Sequence, residues 1–214
     1  MFGHEEKIDR KKVHLINITS FLMGFNASLL AYVMSYYLKE VFGTDNIGVI
    51  YLLSYLVILL ILLHVHKIIY YFGKSFVLHV SIFLKTLAVA GLLIFPVSVA
   101  GIPFFVLYIV TGTLAWTALG AILESFSLDR ESGRIRGMHL TIMNAGYLMG
   151  PLLATQLLGD YGFNGVFMLS FLVYSVIFIF TLLFIRKTNH KFKKKIIWKW
   201  NIFIIYIRLH MVNI

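Results

Sequence analysis

Six apolar segments, separated by short polar or glycine-containing connectors, run along most of the chain. They cover residues 13–38, 47–65, 76–95, 102–123, 138–158 and 166–185. Each is close to the roughly 20 residues that a helix needs to cross the hydrocarbon core of a bilayer. None alternates apolar and polar residues in the manner of barrel strands, so the backbone must be satisfied within helices. The pattern predicts an all-α membrane protein with six transmembrane helices.

The two ends of the chain differ from these segments. A short polar head, residues 1–12, precedes the predicted bundle at residues 13–185, and a basic tail follows at residues 186–214. The tail begins with RKTNHKFKKK and continues into an apolar stretch that Lys199, Asn201 and Arg208 interrupt. It fits a basic helix lying on the anionic inner leaflet. It fits equally a non-native end of a truncated or frameshifted reading, and a seventh span is a third interpretation.

Composition strengthens the membrane interpretation and excludes several classes of function. The chain has 214 residues, of which 60% are hydrophobic and 13% charged, whereas a soluble domain is about half apolar and a quarter charged. It has no cysteine, which excludes disulfides and thiolate metal sites. The sequence lacks G-x-S-x-G, H-E-x-x-H and phosphate-loop motifs, and it has no aspartate cluster for Mg²⁺. We therefore expect neither an enzyme nor a cofactor, a metal site or a nucleic-acid partner.

Lysine and arginine residues predict how the helices cross the membrane. If the N-terminus lies in the cytoplasm, all but Lys39 and Lys85 of the 19 Lys and Arg residues fall in the head, in the loops after the second and fourth segments, or in the tail. Basic residues concentrate in the cytoplasmic loops of membrane proteins. We predict that both termini are cytoplasmic and that the protein lies in the plasma membrane. Two groups of three spans also permit a 3+3 inverted repeat, although their basic loops fall at different places in each group.

The loop before the fifth segment carries a dense cluster of charges: Asp129, Glu131, Arg134 and Arg136. Opposite charges this close in sequence can pair with one another or with a neighbouring loop. Exposed pairs of this kind are weak, on the order of 0–1 kcal/mol each. We interpret the cluster as a cytoplasmic charge latch that rearranges when the protein moves. The alternative is a loop that only sets the topology.

The fifth segment contains a packing or hinge motif. Gly146 and Gly150 lie at positions i and i+4, on one helix face, where small residues let a neighbouring helix approach closely. Pro151 removes one backbone hydrogen bond and favours a kink. Together they predict a closely packed helix with a flexible point, and ordinary helix packing is the alternative.

Small and polar residues form a stripe along two of the segments. In the first segment the stripe consists of Asn17, Gly24, Ser28, Ala31 and Ser35, and Asn26 lies on the opposite face. In the fourth it consists of Thr113, Thr117, Gly120 and Glu124, with Trp116 at its margin. Lipid cannot satisfy polar side chains, so they should face other helices or a wet cavity. The candidates for a substrate pathway are Asn17, Asn26, Ser28, Thr113, Trp116, Thr117 and Glu124, together with Asn144 of the fifth segment; helix–helix contact is the alternative for each.

Lys85 is the one strongly charged residue well inside a predicted span. An unpaired charge there costs several kcal/mol, so it is a candidate functional residue by default. No acidic residue lies at an obviously equal depth, which leaves snorkelling or a partner outside the chain as alternatives. Four histidines have no ligand-like spacing and lie near span ends, so we interpret them as interfacial: His64, His66, His79 and His139.

Residues 134–151 carry a pattern that resembles the major facilitator superfamily. Gly146-x-x-x-Gly150-Pro151 follows an Arg-x-Arg-Gly sequence at residues 134–137. This is similar to the fifth helix of that superfamily, whose signature G-x-x-x-G-P-x-x-G-G is prominent in drug/proton antiporters. The position in the fifth apolar segment, after a basic loop, matches as well.

The chain departs from the superfamily pattern at three places. Ala154 and Thr155 replace the final glycine pair of the fifth-helix signature. In the loop motif G-x-x-x-D-R-x-G-R-[RK] between the second and third helices, only residues 73–74 match, and Tyr70 and Tyr71 occupy the aspartate and first arginine positions. The usual arginine of the fourth helix is absent.

The resemblance covers about residues 10–190 and implies both a fold and a function. It implies a six-helix bundle equivalent to the N-terminal half of a twelve-helix carrier, in which helices one and four line the cavity. It also implies secondary active transport of a small solute across a lipid bilayer by alternating access, coupled to H⁺ or another ion. One bundle would then need a second six-helix half or a second copy of itself. The alternative is a non-transporting membrane bundle, either an assembly or interaction subunit or the remnant of a split gene.

Overall fold

The computed structural model describes residues 10–126 and 132–185, and every regular element in these two ranges is helical. The helices are α1 (Arg10–Phe42), α2 (Gly48–Leu62), α3 (Val65–Phe72), α4 (Lys74–Ile94), α5 (Ile102–Ser125) and α6 (Ser132–Phe184), with a short 3₁₀ turn at Val99–Gly101 before α5. The predicted all-α class is therefore confirmed for the described residues.

Four of these helices are long and apolar enough to cross a membrane. They are α1, α4, α5 with its preceding turn, and α6, and the pair α2 and α3 makes a fifth candidate if it counts as one bent span. Much of the surface of these helices faces the surroundings and not the protein core. Large apolar side chains such as Leu60, Leu148 and Leu183 are therefore exposed. Apolar exposure on this scale is typical of a surface that meets lipid.

The second predicted segment is not one straight helix. α2 ends at Leu62, and α3 begins at Val65 after a break at which the two axes bend by 54°. A loop around Lys67 was predicted. This is wrong, because residues 65–72 form the eight-residue helix α3. α3 buries Ile69 and exposes His66 and Lys67, so its one apolar face rests on the bundle while its polar residues remain outside.

A reversal of the chain divides α6 into two arms. A straight helix of its 53 residues would be about 80 Å long, far more than the roughly 30 Å of a hydrocarbon core. Gly162 has φ 62° and ψ −159°, a conformation open almost exclusively to glycine, and it separates a first arm (residues 132–161) from a second arm (residues 163–184). The sequence predicts a connector at residues 159–162, between the fifth and sixth segments. Only Gly162 leaves helical geometry there, and residues 159–161 remain helical.

Contacts with α1 show the directions of the two arms. Along the first arm, His139 lies at the level of Ser20 and Gly150 at the level of Ser28, so this arm runs parallel to α1. Along the second arm, Phe163 stacks on Tyr36, and the carbonyl oxygen of Ser170 accepts a hydrogen bond from the Asn26 amide. This arm therefore runs antiparallel to α1. The second arm also packs on α4, where Nε2 of His79 lies 2.9 Å from the carbonyl oxygen of Thr181.

α1 is the central helix of the bundle because it lies between the two arms of α6. Its Leu29, Leu30 and Val33 are fully buried, as are Tyr37 and Leu38. The bundle has two ends. At one end the Tyr37 hydroxyl of α1 donates to the Ser98 carbonyl oxygen between α4 and α5 (3.4 Å). The other end brings together the beginning of α4, the end of α5 and the beginning of α6, and we refer to it as the charged end.

Candidate functional site

A pocket of about 440 Å³ lies between α5 and the first arm of α6, at the charged end. This volume falls in the range of about 300–1,000 Å³ that small-molecule pockets occupy. Most of its wall is apolar or aromatic. Its lining residues are Trp116, Gly120, Leu123, Glu124, Arg136, His139, Leu140, Met143 and Tyr147.

An ion pair stands at one end of the pocket. The Arg136 guanidinium donates to the Glu124 carboxylate, and 57% of each side chain is exposed. Lys74 lies close by, where its ammonium donates to the carbonyl oxygen of Ala121 (2.9 Å) and interacts electrostatically with Glu124. The charged end therefore connects α4, α5 and α6 through polar contacts.

His139 forms part of the inner wall and is buried, although the sequence was interpreted as placing it at the interface. Its Nδ1 lies 3.1 Å from the Ser20 hydroxyl oxygen of α1. Because that hydroxyl donates its hydrogen to the Ile16 carbonyl oxygen (2.8 Å), Nδ1 must be the donor in the contact with Ser20. The neutral ring then has a hydrogen-bond acceptor at Nε2.

A pattern in the sequence could have identified His139 as an inward-facing residue. It precedes Gly146 by seven residues, which places both residues on one helix face. Gly146 and Gly150 form that face against α1, so a side chain one heptad earlier should also face α1. The nearness of His139 to the start of the segment had instead suggested an interfacial position.

The first arm of α6 crosses α1 with the two backbones in contact. A Cβ atom at Gly146 would collide with the Phe21 carbonyl oxygen, and one at Gly150 would collide with Ser28. From the opposite side, a Cβ at Gly24 would lie 2.6 Å from the Met143 carbonyl oxygen. The three glycines thus permit a close approach that no larger residue would allow without movement of the helices.

Pro151 lies in this arm immediately after the crossing. The helix passes through it, and Gly162 is the residue at which the described part of α6 leaves helical geometry. Thr155, one turn further on, donates to the Pro151 carbonyl oxygen (3.1 Å).

The three pathway candidates of α1 are buried within the bundle. Asn26 donates from its amide to the Ser170 carbonyl oxygen of the second arm (3.0 Å), and Ser28 donates to the Phe25 carbonyl oxygen (2.9 Å). Asn17 is buried, and its amide has no hydrogen-bond partner among the described protein groups. None of the three lines the pocket, so in this conformation they contribute to contacts within the bundle.

The candidates of α5 and α6 divide into two groups. Trp116 and Glu124 line the pocket. Thr113 and Thr117 are half-buried, and their hydroxyls donate within α5, to the carbonyl oxygens of Ile109 (3.2 Å) and Thr113 (2.8 Å). Asn144 is exposed on the first arm and is not part of the pocket wall.

The structure describes only part of the predicted charge latch. Asp129 and Glu131 lie outside the described residues. Arg134 is exposed, and Arg136 pairs with Glu124 at the end of α5. The partner that the structure shows for Arg136 is therefore a residue that we had assigned to the pathway.

Lys85 lies inside the bundle, away from the pocket, and only 3% of it is exposed. Its ammonium lies 4.3 Å from the ring centroid of Tyr108 on α5 and 4.9 Å from that of Tyr174 on the second arm. Gly112 faces the ammonium, and a Cβ there would lie 2.6 Å from it. Within residues 10–126 and 132–185, no carboxylate pairs with Lys85. Neither tyrosine was predicted from the sequence to contact Lys85.

Comparison with known proteins gives one match. No curated protein and no solved structure is significantly similar to the chain. The family model described as Major Facilitator Superfamily matches residues 16–203, a range that includes α1 from Ile16 onward, the whole of α2 to α6 and every residue of the pocket. The resemblance seen at residues 134–151 is thereby confirmed, and the chain belongs to the Major Facilitator Superfamily, whose members are membrane transporters rather than enzymes.

Proposed function

We propose that this chain forms a six-helix transmembrane bundle of a secondary transporter, which moves a small solute by alternating access. The observation that carries the proposal is the pocket between α5 and the first arm of α6, in a chain that belongs to a family of transporters. A concave site with apolar walls and a few polar groups at one end is what a small-molecule carrier requires.

The six spans of this proposal are α1, the bent pair α2 and α3, α4, α5 and the two arms of α6. The reversal at Gly162 supports counting α6 twice, because the arms run in opposite directions along α1. The 54° bend supports counting α2 and α3 once. Spans one to three and four to six then form two groups of three, as a 3+3 inverted repeat requires.

The positive charges support an orientation with the charged end in the cytoplasm. Lys67, Lys74, Arg134 and Arg136 all lie towards this end, and basic residues favour the cytoplasmic side. In this orientation both termini are cytoplasmic, the pocket opens towards the cytoplasm, and the protein lies in the plasma membrane.

Movement in this proposal takes place at the crossing of α1 with the first arm. The arm carries one wall of the pocket and, on an overlapping face, the glycines that touch α1. A tilt at Pro151 would move the segment before it, with α1 packed on its glycines, relative to the rest of the bundle, and would thereby change the shape of the pocket. The pair Arg136–Glu124 would break and form again as the charged end opens and closes.

A second six-helix bundle completes the carrier, supplied either by a C-terminal half or by a second copy. In such a carrier the pocket between α5 and the first arm would hold the solute next to the second bundle, and H⁺ or another ion would drive its movement.

Reconstitution tests this function directly. Purified full-length protein in lipid vesicles would be offered one radiolabelled compound from each of five classes: a hexose, an amino acid, a nucleoside, an aromatic carboxylate and an aromatic amine. We expect saturable uptake of one class above that of protein-free vesicles. If two copies make one carrier, uptake should rise more steeply than in proportion to protein density. Absence of flux for every class at every density would contradict transport and favour a non-transporting bundle.

A further inference from the structure

From the composition of the pocket wall we infer that the site between α5 and the first arm of α6 binds an organic cation: a protonated amine with an aromatic body. The inference rests on the proposed function, because it names the class of solute that the same pocket would take. It depends on three features: aromatic rings, a carboxylate at one end, and a histidine whose tautomer is fixed.

The aromatic features suit a flat apolar body and a positive head. Trp116 on α5 and Tyr147 on the first arm both contribute to the wall, with Met143 between the charged end and Tyr147. The faces of aromatic rings are negative and attract ammonium groups, tryptophan most strongly. Gly120 also lines the pocket and leaves room for a ligand, since a Cβ built there meets nothing within 4 Å.

The polar features suit a group that donates hydrogen bonds. Glu124 presents a carboxylate at the pocket, where a ligand ammonium can join Arg136 or take its place. His139 adds an acceptor, because its Nδ1–H is committed to Ser20 and Nε2 therefore carries a lone pair. A primary ammonium has three N–H donors, which both of these groups can accept.

An organic anion fits the same wall less well. Arg136 and the nearby Lys74 would attract it, but Glu124 would repel it and the Nε2 of His139 would offer it no hydrogen-bond donor. Arg136 and Glu124 are equally exposed, with 57% of each side chain accessible, so solvent screens both charges alike. The aromatic lining and the His139 acceptor therefore favour a positive head over a negative one.

Three ligands with one body and different heads test the inference. Binding of 1-naphthylmethylamine, 1-naphthylmethanol and 1-naphthoate to the full-length protein in lipid nanodiscs would be measured by equilibrium dialysis near neutral pH. We expect the amine to bind at least about tenfold more tightly than the alcohol, as one charge-assisted hydrogen bond would give. The carboxylate should bind most weakly of the three.

Two pairs of variants locate the site. Glu124→Gln should remove most of the amine's advantage over the alcohol, and Glu40→Gln, which changes an exposed carboxylate of α1 outside the pocket, should leave it unchanged. Gly120→Leu should fill the pocket and weaken the amine and the alcohol alike, whereas Gly159→Leu should not. Both glycines have open space around a Cβ, so Gly120→Leu should fold even if Glu124→Gln does not.

The other outcomes would overturn either the inference or the proposed function. If the carboxylate binds most tightly of the three, the pocket is an anion site. If the amine still binds more tightly than the alcohol in the Glu124→Gln variant, the cation binds elsewhere. Lack of saturable binding by all three ligands, or binding unaffected by Gly120→Leu, would show that the pocket is not a ligand site. Specific amine binding without flux in vesicles would refute the proposed transport alone, and flux of another class without amine binding would refute the cation site alone.

Discussion

The ammonium of Lys85 on α4 lies 4.3 Å from the ring centroid of Tyr108 on α5. Tyr174 of the second arm adds a second ring at 4.9 Å, so three helices meet at one buried charge. Insertion scales give roughly 2.5–3.5 kcal/mol for a lysine at the centre of a membrane helix. Two desolvated cation–π contacts of about 2 kcal/mol each are enough to offset that cost. The two tyrosine rings thus stabilise the buried ammonium without neutralising its charge.

A double-mutant cycle tests the contact between Lys85 and Tyr108. Tyr108→Leu should destabilise the protein more when Lys85 is present than in the Lys85→Met background, with a coupling free energy of about 1–2 kcal/mol. Tyr108→Phe keeps the ring and should retain most of the coupling. Thermal unfolding of the purified variants in detergent measures each difference. Equal effects of Tyr108→Leu in both backgrounds would contradict a cation–π contribution.

The crossing of α1 and the first arm predicts a difference between two glycines of α6. Gly150→Ala should destabilise the protein by about 1–3 kcal/mol, because the added methyl group meets Ser28 and the α1 backbone. Gly159→Ala is the matched control: its Cβ meets open space, and alanine favours a helix over glycine by roughly 1 kcal/mol. Thermal unfolding of both variants in detergent gives the comparison. A Gly150→Ala protein as stable as the wild type would show that the backbones are not in contact.

Hydropathy was sufficient to predict where apolar helices lie, because the length of an apolar run depends on local sequence alone. It did not predict the bend between α2 and α3, since Leu63 and His64 carry no glycine or proline signal. It placed a connector at residues 159–162 but could not reduce it to Gly162. A φ of +62° selects glycine at one position, and the sequence offers glycine at both 159 and 162.

The site was less accessible to sequence reasoning than the fold. Trp116 and Glu124 were identified by their spacing on one helix, and the same reasoning extended by a heptad from Gly146 would have added His139. Contacts between helices depend on their relative rotation and axial shift, which periodicity within each helix does not contain. For this reason the tyrosines around Lys85 and the pairing of Glu124 with Arg136 could not be predicted.

The loop between α1 and α2 provides a pH-dependent test outside the membrane spans. The Lys39 ammonium lies 2.7 Å from the Asp45 carboxylate, and this hydrogen bond and charge hold the pKa of Asp45 below its ordinary value. The contribution of Asp45 to stability is then complete above the ordinary carboxyl pKa, and it is lost as pH falls through the lowered value. Because both groups are exposed, the effect on total stability should be small.

Lys39→Gln should raise the pKa of Asp45 towards the value of a free carboxyl group, since it removes the cation that stabilises the carboxylate. NMR titration of the selectively labelled aspartates measures this shift. Lys67→Gln, which removes a lysine elsewhere on the surface, should leave the Asp45 titration unchanged. An Asp45 pKa that is equal in wild type and Lys39→Gln would show that the pair does not persist in solution.

Gly162 determines whether α6 forms one helix or two antiparallel arms. Its φ of 62° and ψ of −159° lie in a region that costs other residues about 1–3 kcal/mol. A Cβ there would have open space, so Gly162→Ala should destabilise the protein through backbone strain alone. Gly159→Ala, in helical geometry one turn earlier, should not. Distances between spin labels at residues 148 and 176 should stay short in the wild type, as antiparallel arms require. Labels separated by the length of a continuous helix would disprove the reversal and with it the count of six spans.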